Sequence, residues 1–333
     1  MGMIVDELLE LLHALPAPDE ESAAAVRGRA DQVLRPAGAL SRLDDVAVWL
    51  AGWQRTTTPG VRRPCVVVFA ADHGVAAQGV SAYPAEVTAA MLAALDKGVA
   101  TANAMADVVG AQLVVSDVGV GQPTGALHLE AALSPQRFGE CLAIGRELVA
   151  AIEADLLVLG ELGIGNTTAA AAVCAALFGG EAAYWTGRGT GVDDAGYARK
   201  VEIVDAARRR LDPATAPFEL LRELGGAELV AIAGAVIEAR ARSIPVILDG
   251  FVVTAAVAPL SAITPDALDH CVAGHCSGEA GHRRLLERLG KRPLLDLEMR
   301  LGEGTGALAA LPLVQLAAAS VTNVATFSEW GLT

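Results

Sequence analysis

Four short apolar runs without alternation constrain this chain most: residues 65–70, 113–116, 156–159 and 246–248. A strand with one wet face alternates apolar and polar side chains. Uninterrupted runs are therefore predicted to be strands buried on both faces, the condition of a parallel sheet covered by helices. The intervals supply those helices, because residues 87–97, 167–177 and 195–211 have helical spacing; weaker strand candidates follow near 269–273 and 294–297. The β-α-β rhythm predicts an α/β chain with a doubly wound parallel sheet. Before the first strand, apolar spacing at Ile4, Leu8, Leu9 and Leu12, and again at Leu40, Leu43, Val46, Val48 and Leu50, predicts two helical stretches separated by Pro16 and Pro18. The polar turn at residues 54–64 is the first domain boundary.

Composition narrows the function. The formal charge of −14 argues against a nucleic-acid partner, which needs a clustered positive surface. Hydrophobic residues make up 53% of the chain but aromatics only 4%, so small side chains must let backbones pack closely. Long apolar stretches are broken by a charge, Gly or Pro before the roughly 20 residues of a membrane span. The first residues lack a signal-peptide pattern, and a cytoplasmic location is expected. Cys65, Cys141, Cys174, Cys271 and Cys276 are expected to be free thiols in the core.

Several strands end in a carboxylate or a glycine turn, as in Ala71-Asp72-His73-Gly74, Ser116-Asp117-Val118-Gly119, Gly160-Glu161 and Leu248-Asp249-Gly250. Ligands of open α/β sheets sit beyond the carboxyl ends of the strands, so these groups should converge on one crevice. Gly160-Glu161-Leu162-Gly163-Ile164-Gly165-Asn166-Thr167-Thr168 joins a strand to a helix, and its free N–H groups suit a phosphate equally with an ordinary capped turn. A second glycine loop, 187–191, precedes Asp193-Asp194 and Lys200; it sits away from an apolar strand end, which argues against a diphosphate-magnesium site. Arg300-Leu301-Gly302-Glu303-Gly304-Thr305-Gly306 opens an apolar helix at 307–319. Glu303 there reads either as a general base in a partly apolar pocket or as a carboxylate at a helix dipole. His270, His275 and His282 lack zinc-site spacing and read as core or surface histidines. Ser277, just past a strand, is a candidate anion contact.

In their order, these segments resemble the nicotinate-nucleotide:dimethylbenzimidazole phosphoribosyltransferase family. The resemblance is carried by Ala71-Asp72-His73-Gly74-Val75 with Gly79-Val80-Ser81-Ala82-Tyr83-Pro84, by residues 160–168, by Leu248-Asp249-Gly250-Phe251, and by Gly281-His282-Arg283 through Leu295 to Gly306. It implies a mainly parallel six-stranded Rossmann-like sheet in a large domain of residues 60–285. A small helical domain, residues 1–59 and 286–333, would be built from both chain ends and contribute the Glu303 loop. It also implies a homodimer with no metal and no cofactor. The implied reaction joins nicotinate mononucleotide and 5,6-dimethylbenzimidazole to give α-ribazole 5′-phosphate and nicotinate.

By the same resemblance Glu303 is the base that takes the benzimidazole N–H proton, and Glu161 and Asp249 line the ribose and leaving-group region. Gly163, Gly189, Thr190, Lys200 and Ser277 resemble the phosphate site, and Ser81, Tyr83, Pro84 and Leu301 the benzimidazole walls. The chain departs from the family pattern at residues 35–41, at Gly274-His275-Cys276-Ser277, and at Ala89-Ala90, where a glutamine is often found. The alternatives are a non-catalytic nucleotide-binding regulator and a phosphoribosyltransferase with another acceptor base. A nicotinamide-dependent dehydrogenase is disfavoured because no Gly-x-Gly-x-x-Gly follows the first strand.

Overall fold

The computed structural model describes residues 9–332, so Ile4 and Leu8 lie outside the described residues. The strands are β1 (Pro64–Ala71), β2 (Gln112–Gly119), β3 (Leu156–Leu162), β4 (Val246–Leu248), β5 (Cys271–Ala273), β6 (His275–Cys276) and β7 (Leu295–Asp296). The helices, numbered from the first fully described one, begin with α1 (Glu20–Ala30), α2 (Arg42–Gln54), α3 (Val87–Asp96), α4 (Thr101–Val109), α5 (Pro135–Ala151), α6 (Asn166–Phe178) and α7 (Ala182–Trp185). They continue with α8 (Asp194–Arg209), α9 (Pro217–Leu224), α10 (Ala227–Ala241), α11 (Phe251–Ile263), α12 (Ala280–Arg288) and α13 (Thr305–Thr322).

The main sheet is parallel throughout, in the order β2-β1-β3-β4-β5. Its order reverses at β1, so β1 and β3 flank a topological switch point. The expected six strands become five plus a separate pair. The backbone turns at Gly274 between β5 and β6, and β6 then pairs in parallel with β7, which runs as a two-residue ladder beyond the sheet edge. A second correction concerns β2. Its apolar residues 113–116 are only half-buried because β2 is the outer strand, whereas every residue of β1 is buried.

Alternate side chains of the strands enter two cores, as the strand period of two requires. Cys65, Val67, Phe69, Leu157 and Leu159 pack with α5, α6, α10 and α11. Val66, Val68, Leu156, Val158 and Ile247 pack with α1, α2, α4 and α13. Small residues permit the close packing expected from the composition: a side chain at Gly145 on α5 would overlap the Ala231 carbonyl of α10. All five cysteines are free and buried, and burial pushes the Cys65 thiol up to about 11 and the Cys271 thiol to about 12.

The two chain ends meet on the second face. Arg29 of α1 donates to the Val324 carbonyl at 2.9 Å and pairs with Glu329 at 3.0 Å, and Val33 bridges Thr326. The separate helix α1 is set by Asp19, whose carboxylate accepts from Glu21 N at 3.2 Å, with acids in the first turn and Arg27 and Arg29 in the last. By length and composition α13 is the one helix among the described residues able to cross a membrane. Its Ala307, Leu308, Leu311, Val314 and Val321 are instead buried in the second core.

Candidate active site

The carboxyl ends of β3 and β4 bring two acids into one cavity. Glu161 is the penultimate residue of β3, and its carboxylate accepts from the Asn166 amide at the start of α6. Asp249 follows β4 directly and accepts from Ala307 N at 2.9 Å, which ties the first turn of α13 to the sheet. Both line a cavity of about 120 Å³, and a larger one of about 730 Å³ shares Ser277 and Glu279 with it. Burial, and next the charge of Asp249, pushes Glu161 up to about 8. Burial pushes Asp249 to about 7 against the opposing pull of backbone N–H groups, Ala307 first.

The rim opposite is built from the two glycine loops. Lys200 on α8 is fully buried and donates to Thr167 Oγ1 at 2.9 Å; desolvation lowers it to about 8, partly offset by the charge of Glu279. Thr190 Oγ1 lies 2.8 Å from Ser81 Oγ and accepts from Ala82 N at 2.9 Å. Ser81, expected in the benzimidazole wall, is thus bonded to a residue expected at the phosphate. Gly163, Gly189, Thr190 and Ser277 line the cavity. Asp193 caps α8 through Gly196 N at 2.8 Å, and Asp194 pairs with Arg188, so neither acid faces the cavity lining.

Glu303 stands apart. Gly302, Glu303 and Gly304 have φ of 89°, 59° and 76°, three successive left-handed residues of which the middle one carries a side chain. The turn is pinned by Glu303 N donating to the Glu161 carbonyl at 3.0 Å. A Cβ on Gly160 would overlap Gly304 N, so only glycine lets this loop lie on the end of β3. Leu301 and Gly302 line the cavity, whereas the Glu303 carboxyl lies outside that lining, 2% exposed, with Oε2 unpartnered. Burial raises its pKa, opposed by the Ala102 N–H at the start of α4. Tyr83 and Leu301 are 56% and 55% exposed, and Pro84 is exposed, so the four residues expected around the benzimidazole do not form a closed pocket.

Some pairings and lining residues of this region escape sequence reasoning, although His73 and Arg300 lie in the quoted motifs. His73, after β1, and Glu228, on α10, form a buried pair 2.6 Å apart, with Glu228 Oε1 within 3.1 Å of where a Gly163 side chain would begin. Glu279 and Arg300 line the cavity, and Arg300 donates to the Gly189 carbonyl at 3.4 Å. Glu279 gives no signal in the sequence because a lone acid before a helix normally reads as a solvated cap. His270, His275 and His282 are all buried, and burial holds them well below the usual histidine range. His275 lies 3.5 Å from Asp249.

The phosphoribosyltransferase family pattern matches residues 15–332. The nicotinate-nucleotide–dimethylbenzimidazole phosphoribosyltransferase of Cereibacter sphaeroides (strain ATCC 17025) is 49% identical over 320 residues, 96% of this chain and 94% of the relative. The protein of the same name from Mesorhizobium japonicum is 49% identical over 329 residues, 98% of each chain. The crystal structure of a protein so named from Thermus thermophilus superposes with a TM-score of 0.89 at 43% identity, covering 95% of this chain and 99% of that one.

Proposed function

The chain belongs to the nicotinate-nucleotide–dimethylbenzimidazole phosphoribosyltransferase family, and on that premise we propose how its residues divide the chemistry. The reaction transfers phosphoribose from nicotinate mononucleotide to 5,6-dimethylbenzimidazole, releasing nicotinate and α-ribazole 5′-phosphate for the lower ligand of cobalamin. Glu303 takes the N–H proton of the benzimidazole. The freed ring nitrogen bonds to the anomeric carbon as the bond to the pyridinium nitrogen breaks. The bonding pair stays with nicotinate, whose ring nitrogen leaves neutral, so the departing group needs no acid and one base suffices.

The observation that carries this reading is the state of Glu303: a carboxylate in a strained turn that follows the cavity-lining Leu301 and Gly302, its pKa raised by burial, with Oε2 lacking a partner among the described residues. Glu161 and Asp249, when ionised, favour the positive charge that develops on the ribose. Lys200, Ser277, Thr190 and the backbone at Gly163 and Gly189 hold the phosphate. Ser81, Tyr83, Pro84 and Leu301 receive the acceptor, and the exposure of Tyr83 and Leu301 favours a second reading in which other planar bases are also accepted.

The division into a body of residues 60–285 and an end-derived part, 1–59 with 286–333, then has a use, because the second delivers the base to the first. Exposed Val108 on α4 and Leu316 on α13, helices in contact through Gln315 and the Val109 carbonyl, suit a second copy in a homodimer. Burial of α13 fits an enzyme working in the cytoplasm. The test is incubation with nicotinate mononucleotide and a panel of benzimidazoles, purines and phenols, following nicotinate. Release is expected with dimethylbenzimidazole; its absence with every acceptor overturns the transferase and leaves a nucleotide-binding regulator.

A further inference from the structure

Ser277 lines the cavity from the segment after β6, and its backbone is held by a buried histidine. Ser277 N donates to His282 Nδ1 at 2.9 Å, and Ser277 Oγ lies 3.0 Å from the same nitrogen. His282 Nε2 lies 3.0 Å from Thr254 Oγ1 on α11, and both side chains are fully buried.

A backbone N–H can only donate. Nδ1 must therefore be the unprotonated nitrogen, and the ring proton of a neutral imidazole must sit on Nε2, where Thr254 Oγ1 accepts it. Burial, with the neighbouring His275 and Arg283, keeps the ring neutral by lowering it to about 3. Nδ1 has one in-plane lone pair. The fixed backbone N–H takes it, and the rotatable Ser277 O–H is not required there.

We propose that His282, held by Thr254 as the Nε2–H tautomer, is a positioning residue for phosphate recognition: it fixes the Ser277 backbone and leaves the Ser277 hydroxyl to donate to the nucleotide phosphate. The inference rests on the reading that Ser277 belongs to the phosphate site. It differs from a packing role because it depends on which ring nitrogen is bare.

The first test needs no substrate. Nitrogen-15 spectra of histidine-labelled protein are expected to show His282 with a bare Nδ1 and a protonated Nε2 at neutral pH; the opposite tautomer or a cationic ring overturns the proposal. The second test replaces the acceptor of the ring proton. Thr254→Val keeps the shape but strands the Nε2 proton, which favours moving it to Nδ1 against Ser277 N–H. It is expected to raise KM for nicotinate mononucleotide about tenfold with kcat nearly unchanged, while Thr254→Ser restores the wild-type value.

With nicotinate riboside, which lacks the phosphate, Thr254→Val and wild type are expected to have equal KM. An equal penalty on both substrates, or none on the nucleotide, overturns the proposal. His282→Asn, which retains an acceptor near the Nδ1 position, is expected to bind the nucleotide better than His282→Gln, whereas packing volume alone predicts the reverse order. Calorimetric titration of the same proteins with nucleotide and riboside gives these comparisons without turnover, so failure of the transferase reading remains distinguishable from failure of this one.

Discussion

The two halves of the proposed site differ in how their backbone and side chains are held. The groups proposed to hold the nucleotide are bonded, Lys200 to Thr167, Thr190 to Ser81 and Ala82, and Ser277 N to His282, although Glu279 Oε2 and His275 Nδ1 in the same lining have no partner among the described residues. On the proposed acceptor side, Gly302, Glu303 and Gly304 run left-handed in succession, and Glu303 Oε2 has no partner among the described residues. Satisfied groups make a site that binds without rearranging, whereas a strained turn and an unpaired carboxylate store unfavourable free energy that a reacting partner can relieve.

The largest expected effect tests the strained side. Glu303→Gln keeps the shape but cannot take a proton, and kcat is expected to fall on the order of 10²–10⁴-fold while calorimetric nucleotide binding persists. Unchanged turnover removes Glu303 from the chemistry. Gly160→Ala comes next, because its new methyl group would meet backbone rather than a movable side chain. Displacing the base loop is expected to cost about 10²-fold in kcat, with nucleotide affinity much less affected. Loss of both in equal measure would show that the two sides are one unit.

Lys200→Met tests the satisfied side. It is expected to raise KM for nicotinate mononucleotide about tenfold or more, with a smaller change in kcat. In wild type, kcat/KM is expected to rise through about 7 to 8 as the Asp249 and Glu161 pair ionises, and to fall above about 8 as Lys200 loses its proton. The variant should keep the rising limb and lose the falling one.

The smallest effect is on stability. The folded pKa of Asp249, about 7, lies above its ordinary value of 3.8, so the folded protein holds a proton that the unfolded chain releases. That stabilisation is complete below 3.8 and is lost as pH rises through about 7. Asp249→Asn, which can still accept from Ala307 N, is therefore expected to gain about 1–2 kcal/mol at alkaline pH and little in acid, measured by denaturant unfolding. An equal gain at both ends of the range would separate the effect from ionisation.

The apolar runs gave β1, β3 and β4 away because a strand covered on both faces has no polar positions to hide it. The same logic overestimated the burial of β2, since a run of residues does not say whether a further strand will pair beside it. The weak candidates at 269–273 and 294–297 contain β5 and β7, whereas β6, two residues long, is too short for periodicity and is explained only by its pairing with β7. At the site, the carboxylates at strand ends were legible as chemistry next to local structure. The pairs His73 with Glu228, and Ser277 with His282 and Thr254, were not, because each buried polar side chain is explained only by a partner that the fold supplies.

The contact of Gly160 with Gly304 also bears on the order of assembly. The loop that carries Glu303 is continuous with α13, and α13 covers the sheet face formed by Val66, Val158 and Ile247. During synthesis that face, partly covered by α1, α2 and α4, waits for α13, which follows every strand of the sheet in the chain, so the growing chain carries the proposed nucleotide site above a partly uncovered apolar surface. Docking of α13 closes the surface and seats the base in one event. A chain halted before that event would be sticky and inactive at once, and the appearance of turnover in a refolding experiment would mark the closing of the second core.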